Sequence, residues 1–239
     1  MNTKKIQNPG HQRLPFDSMR HTVGHNHVSR SELVEHATFN KAENWHGSYY
    51  ELCIELGPSG HDDRLLAALR RLWSFPALGG PWSDRDSFGT APCEVTVSGD
   101  LHHFYYGTLA KLDADTVGCL TCVAREPDGS DWLDLCIPTG MLEIVCDIQY
   151  PLYFESNPWI PPLNSLFVDI ANHVHAEVGF RLAIIGEETS GLTDAASLTK
   201  TDLERGLFLL PETLARSLGV EYQSQLCSQG LYRIGITGG

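Results

Sequence analysis

The sequence predicts an α+β fold, a mostly antiparallel sheet of about six to seven strands with helices packed on one face. Three observations predict it. Apolar residues recur with a period of two around 49–56, 103–111, 117–126 and 131–137. They recur with a period near 3.6 over 65–73 and 164–178. The order is strand, helix, several strands, helix, strand, and not the strict strand–helix alternation of a doubly wound sheet.

Residues 1–30 lack periodicity and carry Lys4, Lys5, Arg13, Arg20 and Arg30 with Pro9 and Pro15. They are read as a flexible basic N-terminal arm that docks on the body or on a second copy. The remainder, 31–239, is read as a single α+β domain. A short helix is expected over 31–42, capped by Ser31, with Leu33, Val34 and Ala37 on one face. The strand over 49–56 sends Tyr50, Leu52, Ile54 and Leu56 one way and Tyr49, Glu51, Cys53 and Glu55 the other. Leu65, Leu66, Leu69, Leu72 and Trp73 then form the apolar stripe of a helix that Asp62 is expected to cap, and Pro76 with Gly79-Gly80-Pro81 ends the unit.

Strands are expected over 93–98 and 103–111, joined around Gly99-Asp100. A second hairpin pairs 117–126 with 131–137 through Pro127-Asp128-Gly129-Ser130, where Pro presets φ and Gly accepts a positive one. Residues 147–163 form a loop rich in proline and aromatics. A helix over 164–178, capped by Asn164 or Ser165, leads into 180–185, whose two apolar faces mark a central strand. Helices are expected over 194–205 and 211–218, and a final strand over 231–236.

The chain has 239 residues, 42% of them apolar, and a net charge of −13. That charge repels nucleic-acid phosphates and steers basic partners toward the surface. No apolar run approaches the roughly 20 residues a membrane helix needs. The first residues lack the apolar stretch of a secretory signal, so a cytoplasmic protein is expected. Seven cysteines fit reduced thiols in such a compartment.

Four constellations are chemically suggestive. His21, His25 and His27 have a spacing that metal-binding imidazoles use, but Gly24 and Asn26 oppose the helix that would gather them. Cys119 and Cys122 have the C-x-x-C spacing, yet on a strand residues three apart face opposite sides. Asp134, Glu187 and Glu188 lie on or beside strands, and His173 lies on the helix before the central strand. Together these four are the candidates for acid/base work in a metal-dependent, hydrolase-like enzyme. Trp45, Tyr49, Trp82, Trp132 and Trp159 are candidate anchors of a protein-binding surface.

No nucleophile elbow, phosphate-binding loop or dinucleotide fingerprint occurs. The leading expectation is therefore a non-catalytic protein-binding module without cofactor, one form being an immunity-type inhibitor of a basic toxin. The alternatives are the hydrolase-like enzyme and a structural subunit of a homo-oligomer or larger assembly.

Overall fold

The computed structural model describes residues 38–97, 102–112, 115–221, 225–227 and 230–235. The basic arm, most of the helix expected over 31–42 and the turn at Gly99-Asp100 lie outside them. Among the described residues nine strands form one sheet: β1 (Tyr49–Pro58), β2 (Leu78–Trp82), β3 (His102–Leu112), β4 (Asp115–Arg125), β5 (Ser130–Pro138), β6 (Leu182–Glu187), β7 (Leu207–Pro211), β8 (Gln225–Leu226) and β9 (Leu231–Gly235). Their order is β2-β3-β4-β5-β1-β6-β7-β9-β8, and every ladder is antiparallel. The helices are α1 (Asp62–Trp73), α2 (Thr139–Val145), α3 (Ile160–Val178) and α4 (Glu212–Leu218).

The α+β class stands, but the sheet has nine strands instead of six to seven. β2 contains the Gly79-Gly80-Pro81 run read as a terminator. As an edge strand it tolerates proline, and its register with β3 shifts between Gly79 and Trp82. β7 is a continuous apolar run without alternation, buried on both faces. Residues 93–97 are irregular. Thr96 donates its N–H to the Tyr105 hydroxyl at 2.6 Å and accepts that O–H at 2.9 Å, so a side chain occupies the groups a ladder would need.

Two helices also differ from expectation. α1 starts after His61, with no side-chain cap, and α3 starts at Ile160. Pro161 and Pro162 sit in the first turn of α3, where no intrahelical N–H is required. Asn164 is thus not a cap; its Oδ1 accepts from the buried Tyr50 hydroxyl at 2.7 Å. Over 194–205 only a 3-10 turn forms, at Asp202–Glu204. Asp194 accepts the N–H groups of Ala196 and Ser197, and Asp202 accepts that of Thr199, and these local bonds compete with a helix.

The strand faces sort the interior into two cores. α1 and α3 cover one face, over Leu52, Ile54, Leu133, Leu135, Ala183, Ile185, Leu207 and Leu209. Each fully buried leucine of α1, Leu65, Leu69 and Leu72, contributes about 2 kcal/mol by leaving water. The alternate residues Leu182, Ile184, Phe208 and Leu210 pack a smaller core on the opposite face with Leu198, Leu203 and Ala215 of α4. Helices therefore do not confine themselves to one face. β6 is apolar on both sides because both sides are covered.

Candidate functional site

Opposite α1 and α3, the sheet carries a patch of carboxylates and thiols set by cross-strand register. One row reads Cys122, Asp134, Cys53 and Ile184 across β4, β5, β1 and β6; the next reads Leu120, Cys136, Glu51 and Gly186. A third runs Ala124, Trp132, Glu55 and Leu182. Paired residues on such a face stand about 5 Å apart, so Glu51, Asp134 and the three thiols crowd one another.

The segment after β6, residues 188–196, straps over this patch. Glu188 starts it at φ 49°, a left-handed conformation uncommon for a residue with a side chain, and its N–H donates to Tyr49 O. Glu51 Oε1 accepts the Ser190 N–H at 2.6 Å, and Oε2 accepts the Cys136 thiol at 3.6 Å. Glu55, fully buried, takes the Ala195 N–H on Oε2 at 2.7 Å. Its Oε1 accepts from Ser130 Oγ at 2.7 Å and pairs with Arg181 at 3.0 Å. Two inward glutamates thus tie the strap's backbone to the sheet.

Asp134 is the least supported member. Oδ2 accepts from Ser190 Oγ at 3.5 Å and the Cys53 thiol also bonds the carboxyl, while buried Oδ1 has no hydrogen-bond partner among the described residues. Burial, and next the charge of Glu51, push its carboxyl up to about 7. Burial pushes the Cys122 thiol up to about 12 and those of Cys53 and Cys136 well above the usual range. These thiols are inert small hydrophobes at neutral pH.

The acid/base candidates are not assembled. His173 lies on α3, across the sheet from Asp134, with Ser74 Oγ 3.1 Å from its Nε2. Burial and then Arg71 lower its pKa. Glu187 accepts from Ser48 and Glu188 from the Tyr49 N–H at the exposed end of β1. Among the described residues no three His, Cys, Asp or Glu side chains form a metal-holding group. His21, His25 and His27 lie outside the described residues. A cleft of about 240 Å³ between Phe39, Phe88, Gly118 and α2 is lined by apolar, glycine and threonine residues without a titratable group. Cys119 and Cys122 face opposite sides of the sheet, Cys119 in the larger core.

The expected anchors are mostly structural. Trp82, Trp132 and Trp159 are buried, and Trp45 is half-buried with its indole N–H on Phe39 O. Their rings fill gaps that a large core leaves at its edges. Of the five, Tyr49 is the most exposed, at 36%.

Other aromatics reach the surface instead. Tyr150 and Tyr153, on the loop between α2 and α3, are 57% and 63% exposed. Asn157, fully buried, ties that loop together. Its Oδ1 accepts from Gln149 N–H at 2.8 Å and the Trp159 indole at 3.2 Å; its Nδ2 donates to Gln149 O at 2.8 Å and Tyr153 O at 2.9 Å. Exposed Ile144, Glu143, Asp147 and Glu155 flank the two tyrosines in the chain. Between Arg125 and Arg181 there is no lysine or arginine but nine carboxylates, Glu126, Asp128, Asp131, Asp134, Glu143, Asp147, Glu155, Asp169 and Glu177. All but Asp131 and Asp134 are exposed. The sequence signal for this surface was the proline- and tyrosine-rich run itself.

Compared with known proteins, the chain matches no family model, no curated protein and no solved structure.

Proposed function

We propose that this chain is a non-catalytic protein-binding module that engages a basic partner through the loop around Tyr150 and Tyr153. The observation that carries the reading is a loop tied by the Asn157 hydrogen bonds and presenting two exposed tyrosines inside a stretch of 55 residues, 126–180, without lysine or arginine. Tyrosines offer large contact area at low conformational cost when their backbone is already ordered. Surrounding carboxylates attract lysine and arginine at long range, and the tyrosine faces accept guanidinium groups at contact. A basic toxin or nuclease is one partner of this chemistry, for which the chain would be an immunity-type inhibitor.

The test is photo-crosslinking in the native cell, with p-benzoylphenylalanine at position 150 or 153 and, as control, at Leu226, which is 62% exposed elsewhere. The expected result is a discrete adduct with a basic protein at 150 and 153, whose yield falls when the irradiation is repeated in cell lysate at high salt. Adducts of equal yield at 226, or none at 150 and 153, would sink the reading. With the partner in hand, replacing both tyrosines by alanine should weaken Kd by about 100-fold.

A further inference from the structure

The strap over 188–196 meets the sheet at a point where charge is poorly supported. Asp134 is 7% exposed, and its Oδ1 is buried without a hydrogen-bond partner among the described residues. Among the described residues the groups facing it bring no cation. They are Cys122 from β4, Cys53 and Glu51 from β1, Cys136 from its own strand, and Ser190 from the strap. Between Glu188 and Asp194 the strap has no ionisable residue. Arg181, the cation at the neighbouring strap anchor, is paired with Glu55.

We propose that Asp134 is a proton latch: its protonated carboxyl keeps the strap closed over the sheet, and loss of the proton releases the strap. The neutral acid gains an O–H donor for a neighbouring oxygen and removes one of two carboxylate charges from a dry space. Ionisation places a second negative charge beside Glu51 with an oxygen that nothing in the closed strap hydrogen-bonds. Opening the strap admits water to both carboxylates and uncovers Cys53. In the closed form Asp134 titrates near 7; exposed to water it returns to about 4. The closed form binds the proton more tightly. Its advantage is complete below pH 4, declines as pH rises through 7, and is absent above.

Amide hydrogen exchange on the full chain tests this, with protection factors for Ser190 and for Leu135 in β5 corrected for intrinsic rates. Ser190 should be less protected than Leu135 at every pH, because it exchanges through a local opening. Its protection should fall on the order of 100-fold between pH 5 and 7.5. In Asp134→Asn the protection should stay level across that range. Glu51→Gln, lacking the companion charge, should move the fall to lower pH. Equal protection at Ser190 and Leu135, or a Ser190 value constant within threefold in the wild type, overturns the latch. So does an unchanged pH dependence in Asp134→Asn. Should that variant not fold, the wild-type Ser190-to-Leu135 comparison and Glu51→Gln decide the question.

Discussion

Replacing Asn157 by alanine should destabilise the protein by about 3 kcal/mol. The figure follows from the bonds it makes. Two donors, Gln149 N–H and the indole N–H of buried Trp159, end on Asn157 Oδ1. Each buried donor left without an acceptor costs about 1–3 kcal/mol. Tyr153 O loses little, because it still accepts from the N–H groups of Ser156 and Asn157. Gln149 O loses the Nδ2 donor at 2.8 Å, and water entering the vacated space replaces part of it. Asn157→Asp is the sharper variant. It keeps both acceptors but turns an oxygen toward Gln149 O and Tyr153 O, so it should cost as much near neutral pH and recover in acid, where a protonated carboxyl donates again. Urea unfolding followed by tryptophan fluorescence measures both, and an unchanged m-value shows that stability alone moved. A loss below about 0.5 kcal/mol in Asn157→Ala would mean that the loop is held by its prolines and not by this amide.

Three further outcomes are expected. Glu55→Gln should cost about 2–4 kcal/mol, because all three partners of Glu55 are donors and the new NH₂ group must face at least one of them; equal urea midpoints would show that water fills this site. Gly107→Ala should lower Tm by several degrees, since a Cβ there would lie 2.3 Å from the Trp73 ring and 2.7 Å from Gly79 O; an unchanged Tm would mean that Trp73 moves freely. Native Cys122, half-buried and its thiol pushed up to about 12, should react with iodoacetamide at pH 8 at least 100-fold more slowly than in the urea-unfolded chain; peptide mass spectrometry showing comparable rates would mean that the sheet does not hold this thiol protonated.

Much of the fold was legible in the residues. The alternation of Tyr50, Leu52, Ile54 and Leu56 against Glu51, Cys53 and Glu55 assigned β1 its two faces, and Pro127-Asp128-Gly129-Ser130 located the β4–β5 turn. Period and turn chemistry are local properties, so they survive without knowledge of neighbours. What covers each face is not local. Glu51, Glu55 and Asp134 look in sequence like the solvent side of an antiparallel sheet. They become buried because a strap from beyond β6 crosses them and supplies backbone N–H groups that accept no apolar substitute. Trp82, Trp132 and Trp159 look like surface anchors because they sit near turns, yet all three are buried: Trp159 in the larger core, Trp82 against Phe39 and Phe88, and Trp132 on the strap side of the sheet beside Glu55.

The sequence by itself determined the class of fold, the polarity of its charge and the cation-free stretch from 126 to 180. All three are sums or periods over the chain. The folded chain adds that His173 and Asp134 lie on opposite sides of the sheet, that Asp134 keeps an oxygen without a donor among the described residues, and that Asn157 ties together the loop on which Tyr150 and Tyr153 are exposed. Each of those depends on which distant segment closes over a residue, and burial by a distant segment leaves no periodic mark on the sequence it covers.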